Sequence, residues 1–279
     1  MHHRFTTAIA ILLLILVGLG CSLRRPKGPL TWHLILEIDA AVTDREAAAQ
    51  RTVRVIERRL DAFGVYNFKV LTQGTPPNGR ILVTLPDVAD RGRLKKLITA
   101  GGVLELTAVT GPPSPSPLQT YSTREDAVTS LGGTVPAKRR VLPYFERDEP
   151  GTGQQSTEAS DRSKKWVVVE APAIVDGSDL RNAVAVRSGA SEEDYQIAFL
   201  LGPEGAAKFG AWTGAHINDY LGVVLNGEVK SIAYIKSQIS DQGVISGRFT
   251  KQSAEDLALI LRSGALPAPV KIIEEGDNK

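Results

Sequence analysis

The stretch from Ile245 to Ile273 reads ISGRFTKQSAEDLALILRSGALPAPVKII and contains the boundary signals of three successive elements. Val244 to Phe249 is rich in the β-branched and aromatic residues that are typical of a strand. Thr250 or Ser253 is placed to cap a helix, and Gly264 is predicted to end that helix in a left-handed conformation. The stretch therefore predicts a strand followed by a long helix.

Two prolines separate this helix from the last predicted strand. Pro267 and Pro269 restrict φ and lack a backbone N–H, so they favour an extended path over a continued helix. Val270 to Ile273 then reads as a strand. Within the helix, Leu257 and Leu261 fall on one face, which is predicted to pack against a core.

A hairpin is predicted just upstream. Asn226-Gly227 separates the apolar segments 221–225 and 228–235, and both residues tolerate the positive φ values of a type I′ turn. Earlier segments are predicted from similar signals: a strand at 166–169, a short helix or turn at 177–186, a strand at 195–201 and a helix from 203 to about 217. Residues 166–275 are therefore predicted to form a mixed α+β head with antiparallel sheet.

The N-terminal part has a different order of elements. The predicted elements are a strand at 32–38, a helix capped by Thr43 and ending near 63, strands at 66–71 and 80–85, a helix capped by Asp87 or Asp90, and a strand at 103–109. Gly64 and the pair Gly101-Gly102 supply the two helix stops. This βαββαβ order predicts a ferredoxin-like base over residues 30–110, with two helices covering a four-stranded antiparallel sheet.

A segment rich in proline and serine separates the two units. Residues 111–117, GPPSPSP, cannot continue a helix or a strand ladder. Residues 147–165 are polar and without period, and are predicted to form a mobile surface loop. We therefore assign residues 111–165 to a linker and loop.

The first 29 residues predict export. Residues 8–20 are apolar and uncharged after a basic start, and their length suits a secretory signal better than a spanning helix. Cys21, the only cysteine, resembles the acylated cysteine that ends a bacterial lipoprotein leader, although Gly18 replaces the usual leucine. The alternative is a chance cysteine in an ordinary signal or anchor. Both predict an extracytoplasmic, membrane-directed protein with a leader at 1–21 and a tether at 22–29.

Composition and motifs exclude several classes of site. The net charge of +2 is well mixed along the chain, which argues against a nucleic-acid partner. Beyond the leader only His33 and His216 remain, far apart, and no metal-ligand, nucleophile or phosphate-loop motif is present. We therefore expect no catalytic centre and no cofactor; a deep pocket with Glu or Asp around His216 would favour an enzyme.

Six phrases, in order, resemble the large periplasmic domain of SecD, a subunit of the bacterial protein translocase. They are IERRLDAFGV (56–65), RILVTLPDV (80–88), GGVLELTAV (101–109), LNGEVKS (225–231), ISGRFT (245–250) and LRSGALPAPV (261–270). The resemblance implies a ferredoxin-like base with an inserted or appended α+β head. The transmembrane helices that follow in SecD are not expected here, so proton-driven pulling is not implied for this chain alone.

The resemblance also marks individual positions. They are Arg59, Gly64, Gly101, Gly102, Asn226, Gly227, Gly247, Phe249, Arg262, Gly264 and Pro267. We expect the glycines and the proline to serve backbone geometry, and Arg59 and Arg262 to lie on solvated or ion-paired helix faces.

Binding is the function that these features favour. We expect an extracytoplasmic, membrane-anchored protein that binds unfolded polypeptides at sheet edges while they are translocated, with translocase membrane subunits as further partners. The alternative is a structural or assembly lipoprotein that reuses the same scaffold to contact envelope proteins.

Overall fold

The computed structural model describes residues 28–74, 79–111, 117–145, 164–189 and 194–278. The strands are β1 Trp32–Ile38, β2 Lys69–Gln73, β3 Arg80–Leu85, β4 Leu104–Val109, β5 Arg139–Phe145, β6 Lys164–Glu170, β7 Val175–Asp176, β8 Leu180–Arg187, β9 Tyr195–Leu201, β10 Tyr220–Leu225, β11 Glu228–Tyr234, β12 Gln242–Phe249 and β13 Val270–Asp277. The α-helices are α1 Arg45–Phe63, α2 Arg91–Thr99, α3 Arg124–Ser130, α4 Pro203–Ala215 and α5 Lys251–Ser263. The fold is mixed α+β with three sheets.

The first sheet has four antiparallel strands in the order β13-β1-β3-β2. In β1 every second side chain, from Trp32 to Ile38, is buried, which is the period of a strand with one covered face. These side chains share a core with Ile56 and Leu60 of α1 and with Leu94 of α2. The two helices therefore cover one face of the sheet.

The fourth strand of this sheet is not the one predicted from the sequence. β4 was expected beside β1, but β13 occupies that position and β4 pairs with β10, β6 and β7 in the second sheet. Leu104, Leu106, Thr107 and Val109 are all buried, so β4 suits the interior of a sheet, whereas β13 is mostly exposed and suits an edge. Consequently, in the sequence, the residues from β4 to α5 are inserted between α2 and β13, the strand that completes the first sheet.

The caps of the helices are set by single side chains. The carboxylate of Asp44, not the predicted Thr43, caps α1 by accepting a hydrogen bond of 3.0 Å from Ala47 N. Asp90 caps α2, as one of the two predicted alternatives. Gly64 has φ of 93° and ψ of 19°, which confirms the predicted left-handed stop of α1.

The second sheet closes on itself. Its order is β10-β11-β5-β6-β4-β7, and β10 also pairs with β4, so five strands form a ring around an apolar interior. That interior is built from valines on four of the strands: Val109, Val167, Val169, Val224 and Val229. Helix α3 packs Ala127 against the β5–β6 pair.

The third sheet has the order β12-β9-β8, and α5 packs on it. The short helix or turn predicted for 177–186 is wrong over most of its length, because only Gly177–Asp179 is helical and Leu180–Arg187 is β8. The side chain of Asp176 caps that single turn, and Val184 and Val186 then favour a strand.

Several predictions lie outside the described residues. These are the leader with Cys21, nearly all of the tether and most of the loop at 147–165. Within the described ranges, no helix is both long and apolar enough to cross a lipid bilayer.

Candidate functional site

Arg59 is buried at the junction of three helices, so its predicted place on a solvated or ion-paired face is wrong. The side chain lies in α1 and is 0% exposed. Its guanidinium donates hydrogen bonds to the carbonyl oxygens of Leu97 at 2.8 Å, Ala100 at 2.6 Å and Gly264 at 3.0 Å. These carbonyls end α2 and α5, where backbone acceptors are unpaired and the helix dipole is negative. Arg59 therefore ties the first sheet's helices to the end of α5.

The charge of Arg59 is balanced by backbone dipoles. Burial, with a smaller contribution from the neighbouring charge of Arg58, lowers its pKa to about 10, so it remains a cation at neutral pH. The helical period could have located this residue, because Arg59 lies three and four positions from the buried Ile56 and Val55. Arg58, by contrast, is exposed.

Gly101 and Gly102 permit the close approach at this junction. Gly102 has φ of +75°, and a Cβ there would lie 2.6 Å from Ile260 Cγ2 and 3.2 Å from Arg59 Nη2. A Cβ on Gly101 would lie 2.8 Å from Asn226 Oδ1. The Gly101 carbonyl also accepts a hydrogen bond of 2.8 Å from Leu266 N. Gly101 therefore serves packing, and Gly102 serves packing as well as backbone conformation.

Asn226 attaches the predicted hairpin to the same junction. Its Oδ1 accepts a hydrogen bond of 3.0 Å from Val103 N, and its own N donates to Val103 O at 2.8 Å. Asn226 has φ of 51° and Gly227 has φ of 78°, the positive values expected of the turn. The turn between β10 and β11 is therefore fixed at the start of β4.

The remaining marked positions are dispersed. Arg262 is exposed, and its Nη1 donates to the carbonyl of Ala183 in β8 at 2.5 Å. Gly264 has the predicted positive φ of 88°, but its ψ of 162° is extended rather than left-handed helical, a combination almost confined to glycine. Phe249 packs against the core beneath α5, and Pro267 is exposed before β13. Gly247 lies within β12.

The free edges of the first and third sheets carry apolar side chains. Each of the four edge strands presents one large exposed hydrophobic residue. They are Leu71 on β2 at 58%, Ile273 on β13 at 39%, Val184 on β8 at 42% and Val244 on β12 at 44% exposed. An edge strand has backbone donors and acceptors without a neighbouring strand, so an extended chain can add to it. On β8, however, the backbone groups of Ala183 are already bonded to the side chains of Asn182 and Arg262.

A cleft of about 190 Å³ lies where the end of α4 meets the second sheet. His216, Glu170 and Asp219 line it. Carboxylates around His216 are the arrangement that, according to the sequence analysis, would favour an enzyme. However, His216 Nδ1 lies 2.8 Å from the carbonyl of Trp212, and its ring stacks on the Trp212 ring. Among the described residues, no hydrogen bond joins His216 to a carboxylate or a hydroxyl, and no cluster of metal-ligating side chains occurs.

Sequence reasoning missed Glu170 and Asp219 as cleft residues. In the sequence, β7, β8, β9 and α4 lie between these two residues. No local pattern brings them together, because their proximity depends on the closure of the second sheet.

Two family models match the chain. SecDF P1 head subdomain matches residues 154–268, and the N-terminal part of the P1 domain of protein translocase subunit SecDF matches residues 49–111. Together they match more than half of the chain.

Curated relatives are protein translocase subunits SecD. That of Koribacter versatilis is 37% identical over 231 residues, which is 83% of this chain and 39% of the relative. That of Elusimicrobium minutum is 32% identical over 270 residues, which is 93% of this chain and 53% of the relative. The chain thus spans about half, or less, of the length of these relatives.

Solved structures agree in fold. SecDF in the super-membrane-facing form matches with a TM-score of 0.64 and 27% identity, over 90% of this chain and 32% of that chain. A structure of SecDF described as a membrane component that enhances protein export matches with a TM-score of 0.60 and 28% identity, over 87% of this chain and 98% of that chain. The chain therefore belongs to the SecD/SecDF family, and its residues 49–111 and 154–268 match the P1 domain of that family.

Proposed function

We propose that this protein binds polypeptides in extended conformation on the outer side of the inner membrane and thereby assists their export. The proposal rests on one observation, the exposed apolar side chain on each of the four edge strands of the first and third sheets. Similarity to SecDF, a membrane component that enhances protein export, supports the direction of the proposal.

An open edge supplies the two interactions that an unfolded client needs. Backbone hydrogen bonds with the edge strand are independent of the client's sequence, and one apolar contact adds affinity without strict shape requirements. Charged residues on the same edges, such as Lys69 on β2 and Lys271 on β13, discourage pairing between two copies of the protein. These edges therefore suit transient binding.

Binding alone can assist transport. A client held on the outer side is removed from the population able to slide back, because a ligand shifts an equilibrium toward the state that it binds. No energy input is required for that effect.

We interpret the first sheet with α1 and α2 as a ferredoxin-like base, completed by β13 and with the head inserted between α2 and β13. In this interpretation, both edges of the third sheet belong to the head.

We also propose that the leader directs export and that Cys21 carries the membrane anchor as an acylated residue.

Photo-crosslinking in cells tests the proposal. Benzoylphenylalanine in place of Val184 or Val244 should form adducts with a secretory protein held halfway through the translocation channel. The same replacement at Arg54, an exposed position on α1, is the control and should give no adduct. Absence of client adducts at both edges would contradict the proposal. Adducts with one defined envelope protein instead would support the assembly role.

A further inference from the structure

The cleft at the end of α4 combines acidic groups with aromatic rings. It is lined by the last residues of β4 and β6, the start of β10 and the last turn of α4. Its lining includes two acidic residues, Glu170 and Asp219, and two aromatic residues, Trp212 and Tyr220. No lysine or arginine is among the described residues that line it. The lining therefore has the composition of a site for a cation.

We propose that this cleft binds the cationic side chain of a lysine or arginine in an extended polypeptide. The proposal rests on the proposed function, since it assigns a side-chain preference to the same clients. The sheet edges would bind the backbone of the client, and the cleft would bind one of its basic residues.

The acidic residues of the cleft are not balanced by ion pairs within the described part of the chain. Neither the Glu170 nor the Asp219 carboxylate forms an ion pair with another described residue. Arg139 is the cross-strand partner of Glu170 in the β5–β6 pair, and no ion pair joins the two. Two carboxylates at one cleft without internal cations leave a negative potential, which a basic side chain complements.

The C-terminal end of α4 adds to the negative potential. His216 is the C-cap of this helix and lines the cleft, so the negative end of the helix dipole lies at the cleft. The last turn of α4 contains no basic residue to compensate it. The His216 ring is stacked on Trp212, with ring centroids 4.2 Å apart and an interplanar angle of 10°. A bound cation would therefore gain from the dipole as well as from the carboxylates.

The aromatic rings of Trp212 and Tyr220 are held in place by neighbouring rings. Trp212 is fixed by its stack with His216, and Tyr220 contacts Tyr234 edge-on, with centroids 5.3 Å apart. Fixed aromatic faces bind guanidinium and ammonium groups through cation–π attraction at little entropic cost. They also bind the aliphatic stem of lysine or arginine, which suits a cleft with both polar and apolar walls.

Peptide binding to the purified full chain tests the proposal. The probes are a fluorescent, unstructured, lysine-containing peptide and the same peptide with every lysine replaced by glutamine, followed by fluorescence anisotropy. The wild-type protein should bind the lysine peptide about fivefold more tightly, the gain expected from partly exposed ion pairs and a cation–π contact. The double variant Glu170→Gln, Asp219→Asn should abolish this preference and leave the affinity for the glutamine peptide unchanged.

A matched control removes the same charge elsewhere. Asp61→Asn with Glu125→Gln changes two exposed helical carboxylates that do not line the cleft and should retain the preference. Thermal unfolding of all variants, followed by circular dichroism, checks that each is folded. Equal affinity of the wild-type protein for both peptides would overturn the cation site while leaving the proposed function intact. Failure to bind either peptide would overturn both, and loss of the preference in the control variant would overturn the assignment to the cleft.

Discussion

Arg93 of α2 and Asp256 of α5 form a bidentate ion pair that joins the first sheet's helices to the helix of the third sheet. Arg93 Nη2 lies 2.6 Å and Nε lies 2.9 Å from Asp256 Oδ1. The fork of a guanidinium on one carboxylate fixes orientation as well as distance. The hydrogen bonds to Asp256 raise the pKa of Arg93, so its guanidinium stays charged at neutral pH.

A double-mutant cycle measures this pair. Arg93→Met, Asp256→Asn and the double variant should give a coupling free energy of unfolding of about 1 kcal/mol, since both side chains are partly exposed. The coupling should weaken in high salt. Urea unfolding at two salt concentrations checks this, and a coupling near zero at low salt would show that the pair does not hold α2 against α5.

Arg59 should contribute far more to stability than its neighbour. Arg59→Met leaves the carbonyls of Leu97, Ala100 and Gly264 without their donor and should lower the free energy of unfolding by about 3 kcal/mol. Arg58→Met, on the exposed face of the same turn, should change it by less than about 0.5 kcal/mol. Equal effects in urea unfolding would contradict the structural role of the buried guanidinium.

Gly102 should tolerate no side chain, for two separable reasons. Gly102→Ala introduces a Cβ 2.6 Å from Ile260 and also strains a backbone with positive φ. Gly132→Ala, at φ of +86° with no heavy atom within 4 Å of the new Cβ, carries the backbone strain alone. We expect losses of about 3 and about 1 kcal/mol, respectively, in the free energy of unfolding. Similar losses would show that the packing contact relaxes freely.

Asp176 should contribute to the loss of stability in acid. The hydroxyl and backbone N–H of Ser178 donate hydrogen bonds that hold the pKa of Asp176 below its ordinary value of 3.8. The contribution is therefore present above that ordinary value and is lost as the pH falls through the lower pKa of the folded state. Ser178→Ala should raise the pKa of Asp176, as measured by carboxyl NMR titration. Ser130→Ala, whose hydroxyl bonds only to the carbonyl of Ala127, should leave that pKa unchanged.

Cys21 should carry the membrane attachment. Mass spectrometry of the mature protein should find acylation at Cys21, and Cys21→Ser should release the protein from the membrane fraction or leave its leader uncleaved. An unmodified Met1 at the N-terminus of the mature protein would contradict both the lipid anchor and the cleaved signal.

Local signals in the sequence predicted most elements because their causes are local. The strand at 195–201 was predicted with the bounds that the structure shows. The helix stop at Gly64 and the hairpin turn at Asn226-Gly227 were predictable because these residue types favour positive φ. The partner of β1 could not be predicted in this way, since the choice between β4 and β13 depends on residues more than a hundred positions apart. The acidic cleft is likewise created by sheet closure and not by any motif.

The position of β13 determines the order in which the molecule can fold. As the chain emerges, residues 28–99 supply three strands and two helices, but β1 keeps an unpaired edge until residues 270–277 arrive. A nascent chain released before that point would present β1 as a template for aggregation or for strand exchange with another molecule. During vectorial synthesis or export, the first sheet can therefore be completed only after all residues of β4 to α5 have emerged.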